Sequence, residues 1–352
     1  MALQTPPILF LIYNRPSLTE SVFEEIRKAK PSKLFIAADG PRQGKPGDYE
    51  KCEAAREVIS KVDWDCDVKT LLRDENLGCG RAISGGITWF FEQVDEGIIL
   101  EDDTKPSSDF FEFCAEMLVY YREDTRVMQV AGASFSNRYT KASPYSYFFS
   151  DWGDYIWGWA TWKRAWQHFD YSMKYFPEVT EKKLLESNYT SIYERYYMDY
   201  MMNRSYYEND SVTWWSVQWG FARKINSGLV VVPTRNMILN LGFDENATNT
   251  TNGTQWESME LEKMEFPIKH PGFVMRDRNT DEEVFLKYST TPLTRLKGKI
   301  KYITPHWIYD FFKNIFRQRI SLKRTPLTQR TEQSGNRWSL KNGVSDKAFR
   351  SS

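Results

Sequence analysis

Glu101, Asp102 and Asp103 follow directly on the apolar run GIIL at 97–100. Three adjacent carboxylates repel one another and favour water or a cation, so their place at the end of an apolar run needs a reason. One reason is chemical. A hard divalent cation carrying a diphosphate takes oxygen ligands, usually one or two from the protein, with phosphate and water supplying the rest. One carboxylate can then hold the metal while its neighbours accept hydrogen bonds from sugar hydroxyls. The other reason is structural: Asp, Thr and Ser ahead of an apolar run are ordinary helix N-terminal signals, which would make the triplet a cap. The triplet alone leaves both open.

The elements that position it are visible in the first 131 residues. Apolar runs at 8–13, 34–38, 68–72, 97–100 and 127–131 alternate with amphipathic stretches at about 18–30, 48–61, 80–94 and 108–123. Strands apolar on both faces and joined by helices predict an α/β fold with a mostly parallel sheet between helices. Such sheets bind ligands beyond the carboxyl ends of their strands. Polar residues gather at those ends: Asn14 and Arg15 after the first run, Asp39 and Arg42 after the second, and the triplet after the fourth. Arg81 in "NLGCGRAISGG" (76–86) is either a phosphate contact at a helix start or a solvated surface residue. The same segment carries Ile83 where a dinucleotide fingerprint needs glycine, and the chain has no G-x-x-x-x-G-K-[ST] loop, which disfavours a nicotinamide dehydrogenase and a P-loop enzyme.

The 352 residues suffice for one large domain with additions, and 47 basic against 47 acidic side chains argue against a nucleic-acid binder. Cysteines at 52, 66, 79 and 114 form no C-x-x-C pair, so reduced thiols in a cytoplasmic protein are expected. The N-terminal "MALQTPPILFLIYNRP" is too short in its apolar part for a signal peptide and reads as a first core strand, which would make the Asn-x-Ser/Thr sequons incidental. Tryptophan is concentrated: five lie between 152 and 166, and "VTWWSVQWGF" (212–221) adds three. Such density is either an aromatic core cluster or a carbohydrate platform on which sugar rings stack.

"LFLIYNRPSLTESVFEEIRKAKPSKLFIAADGPR", "NLGCGRAISGGITWFFEQVDEGIILEDDTKPSSDFFEFC", "GWATWKRAW" and "LVVVPTRNMILNLGFDENATNT" together resemble the bacterial GT-A glycosyltransferases labelled hemolytic-protein-like, over residues 6 to 255. These are distantly similar to the N-acetylglucosaminyltransferase I type, whose acidic metal motif is also Glu-Asp-Asp. The resemblance implies a GT-A type nucleotide-diphospho-sugar transferase fold. It also implies Asp103 as the direct ligand of Mn²⁺ or Mg²⁺, Glu101 and Asp102 on the ribose and donor sugar, Asp39 on the nucleobase and Arg15 beside it. Trp157, Trp159 and Trp215 become candidates for the acceptor platform. Two positions depart from the family pattern. Where the family shows Trp-Asp-x-Gln-Trp, with the Asp a candidate base, this chain has Ser216 between Trp215 and Val217. Asp210 and Asp154 are the candidate carboxylates to take its place. Asn249 stands where the family has His, and keeps a hydrogen bond at best.

The expected layout is a nucleotide-sugar-binding half (1–131) and an acceptor-binding half (132–265) of one domain, a basic amphipathic C-terminal helical extension (266–330) and a polar tail (331–352). The expected reaction is metal-dependent transfer of a sugar from a nucleotide diphosphate sugar, a UDP-sugar, to a glycan or lipid-linked glycan, with inversion at the anomeric carbon as the resemblance implies. A non-catalytic carbohydrate-binding relative is the alternative that Ser216 favours. A sugar nucleotidyltransferase is a third, though it would need a Gly-rich, basic loop absent from "FLIYNRPSLTE". The segment 242–257 reads as a loop, either a lid or plain surface. Between 295 and 330 ten Lys or Arg face the single acid Asp310, and aromatics of "PHWIYDFFKNIFRQRI" recur three to four apart. That segment either docks on the domain or lies on the cytoplasmic face of the inner membrane.

Overall fold

The computed structural model describes residues 4–136, 143–153, 155–208, 214–243 and 259–303. The five apolar runs become strands: β1 (Ile8–Ile12), β2 (Lys33–Ala38), β3 (Asp67–Leu72), β4 (Glu96–Glu101) and, after the short β5 (Thr104–Pro106), β6 (Val127–Ala131). The stretches between them become α1 (Pro16–Ala29), α2 (Asp48–Arg56), α3 (Gly78–Phe91) and α4 (Ser108–Tyr120). The second half adds β7 (Tyr147–Ser150), β8 (Trp159–Trp162), α5 (Lys163–Trp166), α6 (Phe176–Glu181), α7 (Ile192–Tyr207), α8 (Ser216–Ile225), β9 (Leu229–Pro233) and β10 (Ile238–Asn240). Helices α9 (Arg278–Tyr288) and α10 (Pro292–Ile303) follow.

Eight strands form one sheet in the order β3-β2-β1-β4-β8-β6-β9-β7. Strands β1, β2, β3 and β4 are mutually parallel, and only β8 and β7 run against the rest. Side chains of β1 alternate across it: Ile8, Phe10 and Ile12 meet Phe23 of α1 and Phe110 of α4, while Leu9 and Leu11 meet Ile87 and Phe90 of α3. With helices on both faces every central strand is buried on both sides, as the continuous apolar runs require. This is the mostly parallel α/β arrangement expected of a nucleotide-diphospho-sugar transferase fold. Edge strand β3 departs from the expectation of two apolar faces, since Asp67, Lys69 and Thr70 are exposed. The chain divides into two compact units, Met1–Gly298 and Lys299–Ser352, and residues 299–303 of the second are described, within α10. No helix among the described residues is long and apolar enough to cross a membrane.

The tryptophan-rich segments resolve as core. Trp159 is 0% and Trp215 3% exposed, their rings stacked with centroids 5.7 Å apart, and Trp219 lies 5.9 Å from Trp159. Neither Trp159 nor Trp215 offers a face to a sugar, which corrects their assignment to an acceptor platform: packing β8 against α8 has used both surfaces. The indole Nε1 of Trp219 donates to Gln129 Oε1 at 2.8 Å, and the Gln129 amide donates in turn to the Tyr155 carbonyl, so one buried side chain ties β6 to α8 and to the loop before β8. Replacing Trp219 with Phe keeps most of the volume but leaves Gln129 Oε1 unpaired. Equilibrium unfolding in urea should show a loss of about 1–3 kcal/mol, and an unchanged midpoint would remove this bond from the account.

Candidate active site

The turn between β4 and β5 holds the acidic triplet. Thr104 Oγ1 accepts from the Glu101 amide at 2.9 Å and donates to the Glu101 carbonyl at 3.0 Å, closing the turn. Helix α4 begins only at Ser108, so the triplet does not cap it and the structural alternative falls away. Asp102, 2% exposed, accepts from the Tyr13 amide at 3.2 Å and from the Arg15 guanidinium, and Asp103 Oδ2 accepts from Arg15 Nη1 at 2.8 Å. Arg15 is delivered by its own element. It sits at the N-cap position of α1, where Pro16 starts the helix, three residues beyond β1.

One guanidinium therefore faces three carboxylates. Among the described residues no cation lies within ion-pair distance of Glu101. Burial, then the charges of Asp103 and Asp102, push the Glu101 carboxyl up to about 8. Burial pushes Asp102 up to about 6, opposed by Arg15. Such a corner is short of positive charge. It is not a preformed metal cage: no three His, Cys, Asp or Glu side chains converge as a ligand cluster among the described residues. The segment after β10 presses on the same carboxylate. Leu241 N donates to the Asp103 carbonyl at 2.7 Å, and a Cβ on Gly242 would lie 2.3 Å from Asp103 Oδ2, so a larger residue there would have to push the Asp103 carboxylate aside. Phe243 next to it packs 5.8 Å from Trp157, a half-buried indole and the one acceptor candidate not sealed in the core.

Beside this corner a cavity of about 250 Å³ opens at the carboxyl ends of β1 and β2 and the start of α3. Tyr13, Arg15, Arg42, Arg73, Asn76 and Cys79 line it, with Ile83 in its wall and Asp39, Glu101 and Asp102 at its acidic side. Arg73 has no ion pair or side-chain hydrogen bond among the described residues, and burial lowers the pKa of its guanidinium. Asp39 is fully occupied: it accepts from the amides of Gly40, Leu77 and Gly78 and from Asn76 Nδ2, at 3.0–3.1 Å. It thereby fixes the start of α3, where Gly78 takes φ +76°, a left-handed conformation suited to glycine. Arg81 points elsewhere, over the Tyr171 ring at 5.1 Å, and is absent from the cavity wall.

Ser216 opens α8. Asp154, Asp210 and Asn249 lie outside the described residues, as do 244–257 of the expected lid and 304–330 of the basic extension. Sequence reasoning missed Arg73, Asn76, Cys79 and, above all, Asp48. The Asp48 carboxylate accepts from Tyr13 Oη at 2.7 Å, Asn14 Nδ2 at 2.7 Å and Arg42 N and Nη2 at 2.8 and 2.6 Å, locking the loops after β1 and β2 together. Nothing around Asp48 in the sequence marks these partners, six to 35 residues away.

No protein-family model matches the chain, and no curated protein does. Among solved structures it is similar to HddC from Yersinia pseudotuberculosis, at 10% identity and TM-score 0.30 over 49% of this chain and 85% of that one. A second is 4-diphosphocytidyl-2C-methyl-D-erythritol synthase from Anaerococcus prevotii, at 11% and 0.28 over 46% and 73%. HddC complexed with GMP-PN follows at 13% and 0.24 over 41% and 59%. At these scores the likeness carries no functional assignment.

The hydrogen bond from Arg42, reinforced by Tyr13 and Asn14, holds the Asp48 carboxyl well below the usual carboxylate range against the opposing effect of burial. A depressed folded-state pKa stabilises the fold fully above about pH 4 and is lost as pH falls further toward that depressed value. Asp48→Asn should cost about 1–3 kcal/mol at pH 7, with the gap to the parent narrowing below pH 4. Urea unfolding at pH 7 and pH 3 checks this, and a gap independent of pH would contradict it.

Proposed function

We propose that this protein is a metal-dependent glycosyltransferase that moves a sugar from a nucleotide diphosphate sugar, expected to be a UDP-sugar, to a hydroxyl of a glycan or lipid-linked glycan, with inversion. The observation that carries the reading is the junction of a cavity lined by Tyr13 and three arginines with the Arg15–Asp102–Asp103 corner at the carboxyl ends of β1, β2 and β4. At about 250 Å³ the cavity is smaller than the roughly 300–1,000 Å³ of whole-ligand sites. It suits the nucleoside, leaving diphosphate and sugar to extend over the corner toward Trp157.

Each residue then has a task. Asn76 and Asp39, through the loop they fix, shape the wall that meets the base. Arg73 supplies an uncommitted cation at the cavity wall. Arg15 is held in reserve on Asp102 and Asp103 and turns toward the diphosphate as the leaving group gains charge. Asp103 would hold Mn²⁺ or Mg²⁺, which when bound supplies Lewis-acid stabilisation of the leaving diphosphate. Glu101 and Asp102 face the sugar hydroxyls. The acceptor proton goes to a carboxylate, and Asp154 and Asp210 are the candidates, because a serine hydroxyl at 216 has no basicity for the task.

A sugar nucleotidyltransferase would use the same acidic corner, but only Tyr13, Asn14 and Arg15 separate β1 from α1, too few for a triphosphate-wrapping loop. A non-catalytic carbohydrate-binding protein would bind the nucleotide sugar without turning it over. One assay separates the three. Incubated with UDP-sugar, the enzyme should release UDP in a Mn²⁺-stimulated reaction, and Asp103→Asn should lower that rate by about 10² or more. Arg73→Ala should raise KM about tenfold with a smaller effect on kcat. Pyrophosphate from UTP and a sugar phosphate without UDP release, or full activity of Asp103→Asn, would overturn the reading.

A further inference from the structure

Helix α10 has two unlike faces. On one, Gly298 lets the helix approach α7 closely: a Cβ there would sit 3.3 Å from Tyr196 Cβ and 3.5 Å from the Tyr193 ring. Arg295 on the same side donates to the Leu286 carbonyl and to Thr290 Oγ1 at 2.6 and 2.8 Å, tying α10 to the end of α9. The opposite face carries Leu293, Leu296 and Ile300, three and four positions apart, which are 60%, 53% and 40% exposed. Helical spacing sets Lys297 along one border of this stripe and Lys299 along the other.

The geometry points to α10 as the contact of this protein with an anionic lipid surface. A stripe of branched aliphatics between lysines is the pattern of a helix lying in the headgroup plane, with leucine tips at the headgroup–acyl boundary and ammonium groups at the level of lipid phosphates. Charge decides between occupants. Of the four cations from Arg295 to Lys301, Lys297 and Lys299 border the stripe with no acid beside them, and the sequence from 304 to 330 adds six more cations against Asp310. That following segment, or a second copy of the same helix, would place like charges against the lysine borders, whereas anionic lipid complements them. The inference uses nothing from the nucleotide cavity, and its test needs no donor, so it stands or falls separately from the proposed reaction.

The full chain should float on a sucrose gradient with vesicles of phosphatidylcholine and phosphatidylglycerol at low salt, and stay down with phosphatidylcholine alone. Leu293→Glu with Leu296→Glu should reduce binding more than about tenfold, and Lys297→Gln or Lys299→Gln roughly fivefold each with a weaker salt dependence. Thermal unfolding of the variants guards against misfolding. As a second readout, an environment-sensitive fluorophore on Leu296→Cys should shift to the blue when anionic vesicles are added. Sedimentation with both kinds of vesicle overturns the inference, as does flotation unchanged by the Leu substitutions. It is also overturned by a dimer that the same substitutions split.

Discussion

A single guanidinium facing three carboxylates is the constraint around which the rest is arranged. Asp102 and Asp103 share Arg15, and Glu101 has no cation of its own among the described residues. Such a corner is costly to bury and is tolerated because rigid elements hold it: β4 delivers the acids, Pro16 at the start of α1 delivers the arginine, and the Thr104 hydroxyl closes the turn. The same shortage of positive charge is what the cation of the proposed reaction would offset, so the charge imbalance of the resting site and its proposed chemistry have one origin.

Two further clamps turn this corner into a pocket. Asp39 spends all its acceptor capacity on the start of α3, and Asp48 binds the loops after β1 and β2 to each other. Neither carboxylate is left for a ligand. Their effect is to hold Tyr13, Arg42 and Asn76 at fixed positions around the cavity, so the proposed ligand would not have to order them. The segment of Gly242 lies directly against Asp103 at the acidic corner.

The central fold was legible in the sequence because β1, β2, β4 and β6 are buried on both faces and therefore appear as unbroken apolar runs. Antiparallel β7 and β8 were harder, being short and dominated by aromatics that read equally well as a surface platform. Only burial shows that Trp159 and Trp215 are core and Trp157 is not. Within the site, Arg15, Asp39 and the acidic triplet were found by their position after strands. Asn76 and Asp48 were not, because their roles depend on partners brought together by the crossovers, nor was Arg73, which only the fold carries to the cavity wall; Arg81, open in the sequence between a phosphate contact and a surface residue, lies over the Tyr171 ring.

The central claim is that the space between β1, β2 and α3 receives a nucleotide, and Cys79 reports on it directly. It lines the cavity, half-buried, while Cys66 is far from it in the fold's β3 entry and Cys52 and Cys114 are buried. Alkylation of each thiol, followed by peptide mass spectrometry with and without UDP and Mn²⁺, is the measurement. The account predicts that nucleotide slows modification of Cys79 and leaves Cys66 unchanged; equal rates at Cys79 with saturating nucleotide would contradict it.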